Sequence, residues 1–370
     1  MPMKAFRASR HRAVRLAWPL AATGLLLLAA VPPAPGQAKV EVVAAGLETP
    51  WALAFASDGR LFVTERPGRI RSVTGGRLEE KPVAVLPLTE HGEGGLLGLA
   101  LDPRFDENGF LYVCYTMGGL GGRLVNRILG RTAVVNRVAR LTFRNGKADH
   151  EVVLLDDMPA ARRHDGCRLK FGPDGKLYVT MGDANEPGLA QRRESPAGKI
   201  LRLNADGSVP SDNPFPGSPV YSLGHRNPQG LAWDREGRLI AAEHGPSGHD
   251  EINHIRPGGN YGWPEVQGRA GDSRYLDPIL ESGNDTWAPS GIAIRGDELF
   301  VAGLRGQRLL RVTLGPDLRV TRVSTLLDRT HGRLRDVVVG PDGALYVTTS
   351  NRDGRGRPAP EDDRILRVVP

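Results

Sequence analysis

Cysteine is nearly absent from this 370-residue chain, which has only Cys114 and Cys167. That count excludes both a disulfide-stapled miniprotein and a cysteine zinc cluster. Acidic residues are missing from the first 37 positions, where five cations stand: Lys4, Arg7, Arg10, Arg12 and Arg15. Long apolar runs are lacking too. The most hydrophobic stretch, Leu16 to Val31, is shorter than the roughly 20 residues a membrane-spanning helix needs. No amphipathic helical pattern of useful length occurs, and no Gly-x-Gly-x-x-Gly fingerprint follows a strand, which argues against a bound dinucleotide.

Glycine and proline, by contrast, are plentiful. The 47 Gly and 29 Pro make up about one residue in five, too few for disorder but enough for many turns. At 25% charged and 40% hydrophobic residues, the chain has a globular composition. The basic start, the apolar centre Leu25 to Leu28 and the Pro- and Ala-rich stretch up to Gly36, Gln37 and Ala38 read as a signal peptide over residues 1–37. Its cleavage would leave residues 38–370 as a periplasmic or extracellular domain with no stable membrane span. It would also remove five of the seven net positive charges, leaving a formal +2. A nucleic-acid partner therefore has little support.

One pattern repeats along the rest of the chain: an Asp-Gly turn or close variant, followed by Leu, an aromatic or branched residue, Val, and Thr or Ala. Examples are Asp58-Gly59-Arg60-Leu61-Phe62-Val63-Thr64 and Asp174-Gly175-Lys176-Leu177-Tyr178-Val179-Thr180. Six copies have their leucines at 61, 111, 177, 239, 299 and 345, spaced by 50, 66, 62, 60 and 46 residues. Asp-Gly suits the positive φ of tight hairpins, and Val, Tyr, Phe and Thr suit pleated strands. Further short apolar strands flank several copies, such as Ala52 to Phe55 before and Ile200 to Leu203 after. Units of this length, each holding about four strands, predict an all-β, six-bladed β-propeller in a single domain. The segment Arg364 to Val368 is expected to join the N-terminal strand Val40 to Val43 in one blade, closing the ring.

Six loops remain that the repeat does not explain. They are 91–99 (His-Gly-Glu-Gly-Gly-Leu-Leu-Gly-Leu), 163–169 (Arg-His-Asp-Gly-Cys-Arg-Leu), 224–230 (Gly-His-Arg-Asn-Pro-Gln-Gly), 243–253 (Glu-His-Gly-Pro-Ser-Gly-His-Asp-Glu-Ile-Asn), 303–306 (Gly-Leu-Arg-Gly) and 333–336 (Arg-Leu-Arg-Asp). With the string Gly-Asn-Tyr-Gly-Trp-Pro at 259–264, they carry a resemblance, in order and blade by blade from about residue 44 to the C-terminus. The chain resembles the soluble glucose dehydrogenase and aldose sugar dehydrogenase family, quinoproteins that use pyrroloquinoline quinone (PQQ).

The resemblance implies a PQQ- and calcium-dependent enzyme that oxidises aldose sugars at C1 to lactones and passes electrons to an external acceptor. It implies His164 as the general base, and imidazole suits that task because it titrates near neutral pH. Cofactor contacts are implied at Glu93, Arg226, Asn227, Gly303, Leu304, Arg305, Arg333, Leu334 and Arg335. PQQ carries three carboxylates, which guanidinium groups capture well. Calcium is implied at the carbonyls of Gly245 and Pro246, with a further ion at Glu251 and the carbonyl of Tyr261. Zinc at His244 and His249 is disfavoured, since no helix spaces them.

Three positions depart from the family pattern. Glu93 stands where relatives usually have Gln; its carboxylate either repels PQQ, is paired by a nearby Arg, or carries a proton. Arg163 stands where glucose-specific members often have Asp. Gly166-Cys167 replaces the usual Gly-Gly. Cys114 and Cys167 fall on adjacent expected blades, either bonded or as two buried thiols. The departures leave open a non-catalytic propeller that binds a glycan or protein partner, and more remotely a calcium-dependent lactone hydrolase. The sequence is compatible with a monomer or a homodimer.

Overall fold

A computed structural model of the chain describes residues 38–118 and 134–370. The expected signal peptide at 1–37 lies outside the described residues. Strands dominate, and the one α-helix among the described residues is the single turn Phe105–Asn108.

The strands form six antiparallel sheets, here numbered as blades 1 to 6 in chain order. Their innermost strands are Pro50–Phe55, Leu96–Leu101, Leu169–Phe171, Pro228–Trp233, Pro289–Arg295 and Leu334–Val339. Each repeat forms the second strand of its blade: Leu61–Glu65, Phe110–Gly118, Leu177–Met181, Leu239–Glu243, Glu298–Gly303 and Leu345–Thr349. The glycine of every repeat turn has positive φ: Gly59 84°, Gly109 68°, Gly175 70°, Gly237 75°, Gly296 65° and Gly343 75°. The hairpin requires that left-handed residue, and glycine adopts it without a Cβ penalty.

Strands Leu61–Glu65, Leu177–Met181 and Leu239–Glu243 are buried at every residue. Both faces of a blade pack against neighbouring blades, so these strands bury side chains on both faces instead of alternating between core and solvent. Apolar clusters fill the spaces between blades. Phe62 and Tyr112 belong to the cluster of blades 1 to 3, Ile240 and Leu299 join blades 4 and 5, and Leu47 and Ile365 join blades 1 and 6. The ring closes as expected: Lys39–Ala44 pairs with Ile365–Val369, with Val42 opposite Leu366, and completes blade 6 from the N-terminal end.

The two cysteines are bonded, with Cα atoms 5.6 Å apart. Cys114 lies on the second strand of blade 2 and Cys167 just before the first strand of blade 3. The bond ties those blades together and settles the choice that the sequence left open.

Candidate active site

Connectivity decides which loops can meet. In an antiparallel four-stranded blade, the first-to-second and third-to-fourth turns lie at one end of the strands. The second-to-third loops and the crossovers between blades lie at the other. The Asp-Gly turns are all first-to-second turns. The six unexplained loops are all second-to-third loops or crossovers, so they share the opposite mouth of the central channel.

His164 stands in the crossover to blade 3, and its Nδ1 is 2.7 Å from Asp183 Oδ1. Asp183 is fully buried, and its other oxygen accepts from Trp263 Nε1 at 2.8 Å. A carboxylate facing Nδ1 holds a proton there and leaves Nε2 as an acceptor, the tautomer a general base needs. The approach depends on Gly182: a Cβ at that position would lie 1.9 Å from the His164 carbonyl oxygen. His164 itself has φ of 65°, a strained value for a residue with a side chain. Its backbone N–H donates to Glu93 Oε2 at 3.1 Å.

Glu93 also pairs with Arg355 at 2.7 Å, so of the alternatives open for this carboxylate, pairing by a nearby arginine is what the structure contains. Its observed contacts brace the backbone of His164. Arg163 is exposed beside it.

Four cationic or polar side chains converge with buried atoms that no group among the described residues satisfies. Among the described residues Arg226 Nη1 donates only to the carbonyls of His244 (3.2 Å) and Gly245 (2.8 Å), and its guanidinium lies 5.4 Å from the Trp263 ring. Arg335 Nη1 donates to Gln229 Oε1 at 2.8 Å, and Arg333 pairs with Asp353 at 2.8 Å. Burial pushes the Arg335 guanidinium down to about 9, so it stays charged at neutral pH while lacking a full complement of anions. Burial, then Arg335, Arg226, His164 and Arg333, hold His244 well below the ordinary imidazole range, so it is neutral. The Nε atoms of Arg226 and Arg335, Asn227 Nδ2 and His244 Nε2 are all buried without a partner among the described residues. Orphaned polar groups of this kind are costly and call for a partner such as a water, an ion or a ligand.

Gly245, Pro246, Glu251 and Tyr261 line one small cavity of about 10 Å³, together with Arg226, Glu243 and Trp263. The Gly-Pro turn is pinned by Asp250, which accepts from Gly245 N at 2.9 Å and from the backbone N–H groups of Trp287 and Ala288. Glu251 accepts from Gly268 N at 2.8 Å and Asn253 Nδ2 at 2.9 Å; burial, then Glu243, push it up to about 8. Among the described residues no three His, Cys, Asp or Glu side chains form a metal cage. An ion here would rely on carbonyl oxygens.

Not every expected contact residue reaches the cluster with its side chain. Leu334 is packed in the core between blades 5 and 6, so only its backbone is available. Tyr261 donates its hydroxyl to His254 O at 2.6 Å and stacks on His225, which again leaves the backbone. Gly303 and buried Leu304 lead to Arg305, which is exposed. Asp183 and Asp353 went unnoticed in the sequence. Both follow the second strand of their blades closely, in loops equivalent to those holding Gly245 and Arg305, and that equivalence was the available signal.

A sequence profile of the glucose/sorbosone dehydrogenase family matches residues 47–366. The chain belongs to that family. This glucose/sorbosone dehydrogenase homologue is 32% identical to the aldose sugar dehydrogenase YliI of Escherichia coli over 351 residues, covering 87% of this chain and 92% of that protein. An oxidoreductase of Thermus thermophilus described as a glucose dehydrogenase superposes with a TM-score of 0.83 at 49% identity, over 90% of this chain and all of that one. The PQQ-bound aldose sugar dehydrogenase of Streptomyces coelicolor superposes with a TM-score of 0.81 at 39% identity, over 90% and 98% of the two chains.

Proposed function

We propose that this protein is a PQQ- and calcium-dependent dehydrogenase that oxidises aldoses at C1 to lactones, with His164 as general base. The observation that carries this reading is the Asp183–His164 pair set beside a cluster of cationic and polar side chains with buried atoms that lack partners among the described residues. Those orphaned donors fit a polyanionic cofactor. Arg226, Asn227, Arg333 and Arg335 would hold its carboxylates, with the backbone at Gly303, Leu304 and Leu334 and the exposed Arg305 closing around it.

When bound, PQQ supplies an ortho-quinone carbon that accepts hydride, and calcium polarises the quinone oxygen. The protein's part is to take the proton. His164 Nε2 removes it from the sugar's C1 hydroxyl as the C1–H bond gives up its electron pair, and the C1–O bond becomes the lactone carbonyl. Asp183 keeps Nδ1 protonated and steadies the imidazolium that results. Calcium at the Gly245 and Pro246 carbonyls would release Arg226 Nη1 from Gly245 and free that guanidinium for the cofactor. A second calcium at Glu251 and the Tyr261 carbonyl would neutralise a carboxylate that burial now penalises.

Secretion to the periplasm or beyond is part of the same reading, supported by the basic, apolar N-terminus and by a disulfide, which persists in oxidising compartments. The test is reconstitution of the purified protein with PQQ and calcium, an aldose panel and an artificial electron acceptor. Dye reduction with at least one aldose is expected. Absence of both dye reduction and cofactor binding would overturn the reading.

A further inference from the structure

The second mouth of the channel, at the Asp-Gly end, holds a cavity of about 510 Å³. This lies within the roughly 300–1,000 Å³ of small-molecule sites. The last residues of all six innermost strands form its wall, so it belongs to the ring rather than to any one blade. Phe55, Phe171, Leu231, Trp233, Ile294 and Val338 give it an apolar lining.

Three charged side chains reach it: Arg168, Lys170 and Asp336. Two of them pair with each other, although Arg168 Nη2 is left without a partner among the described residues. Arg168 Nη1 lies 3.0 Å from Asp336 Oδ2, and both residues are buried. Arg168 Nε donates to Gln229 O at 2.8 Å, its guanidinium lies 4.2 Å from the Trp51 ring, and Asp336 Oδ2 accepts from Leu53 N at 2.8 Å. That pair is part of the wall.

Lys170 is different. Its only hydrogen bond among the described residues is to Leu231 O, at a long 3.3 Å. An ammonium has three donors, so two remain for the cavity. Burial, helped by Arg168, lowers the Lys170 pKa against the smaller opposing pull of Asp336. An ammonium in an apolar bowl is stabilised by an anion, and with Arg168 paired to Asp336, Lys170 is the cation without an anionic partner among the described residues.

We propose that this mouth is a second binding site, for a small monocarboxylate with an apolar body, its head on Lys170 and its body against Phe55, Phe171 and Trp233. One positive charge calls for one negative charge, and the surrounding rings and branched side chains call for hydrocarbon rather than a sugar. The proposal does not rest on the dehydrogenase reading. The two sites sit at opposite mouths, with Trp51, Arg168, Gln229 and Arg335 crossing the channel between them.

The test is isothermal titration of the full chain, without PQQ, sugar or dye, using sodium octanoate, 1-octanol and octylammonium as probes. Octanoate should bind most tightly and octylammonium least. Lys170→Met should weaken octanoate about tenfold, the value of a charge-assisted hydrogen bond, and leave octanol within about twofold. Lys170→Arg should keep octanoate binding, and Ile294→Trp, which intrudes on the apolar wall of the bowl, should weaken binding of both probes. Melting curves confirm that each variant is folded, and the three probes on the unmutated protein decide the question should a variant fail to fold. Absence of octanoate binding, or octanoate and octylammonium binding equally, would overturn the proposal, as would a folded Lys170→Met protein that binds octanoate like the parent.

Discussion

The two mouths of the propeller are built on different principles. At one, six first-to-second turns, three of them Asp-Gly and the others close variants, each carry a left-handed glycine. At the other, no two loops are alike, and they hold His164 in strained backbone, a buried Asp183, and unsatisfied atoms on Arg226, Arg335, Asn227 and His244. Repetition serves the ring, since each turn need only return the chain to the next strand. Irregularity serves chemistry, since a reaction needs different groups aimed at one point. The contrast predicts that mutations at the motif mouth change rates with little change in stability, and that mutations at the Asp-Gly mouth do the reverse.

The largest expected effect tests the first half of that contrast. His164→Ala should lower kcat by about 10³-fold or more, the upper part of what a general base contributes, while PQQ binding stays nearly intact. Equal loss of cofactor affinity would move His164 from proton transfer to cofactor binding. Next comes Asp183→Asn. It keeps the shape but lets the amide donate to Nδ1, which favours the tautomer with its proton on Nε2. A fall in kcat of about 10²-fold with little change in KM is expected. Steady-state kinetics separate the two parameters, and a change in KM alone would reduce Asp183 to a packing residue.

The disulfide lies between the two regimes, because it joins blade 2 to the crossover that carries His164. Replacing Cys114 and Cys167 together by Ser should cost about 2–4 kcal/mol, the usual range for closing a loop of this size. Its location predicts an order of events in urea: activity should be lost before the strand circular dichroism signal. Coincident loss would mean that the bond stabilises the ring as a whole and not the motif mouth in particular.

Most of the ring was legible in the sequence because its repeat is local. Asp-Gly followed by Leu, aromatic, Val specifies a turn and a strand within seven residues, and ring closure follows from where the last such strand lies. The motif loops were legible through their resemblance to known enzymes, which pointed to His164, Arg226, Arg333 and Arg335. What stayed hidden depends on distance in space. Asp183 follows His164 by 19 residues and Asp353 follows Arg333 by 20, and no local pattern links either pair. Whether Cys114 meets Cys167 was undetermined for the same reason. Lys170 was missed because it alternates with strand residues that the ring needs, and only the assembled channel shows what surrounds it.

The smallest expected effect makes the sharpest comparison, because it applies one chemical change at two ends of one blade. Gly175→Ala and Gly182→Ala lie seven residues apart on either side of Leu177–Met181. At Gly175 an added Cβ meets nothing within 4 Å, so its cost is the left-handed backbone alone, about 1 kcal/mol. In a ring this large that is a drop of only about 2 °C in Tm, with kcat and KM unchanged. At Gly182 φ is not positive, so backbone strain costs little, but the new Cβ would lie 1.9 Å from His164 O. Relief requires the His164 backbone to move, and its imidazole moves with it, so kcat should fall at least about tenfold, in keeping with the sensitivity of catalysis to ångström-scale displacement. If Gly175→Ala lowers kcat as well, the two mouths are mechanically coupled through the blade, and the division of labour between them fails at its simplest point.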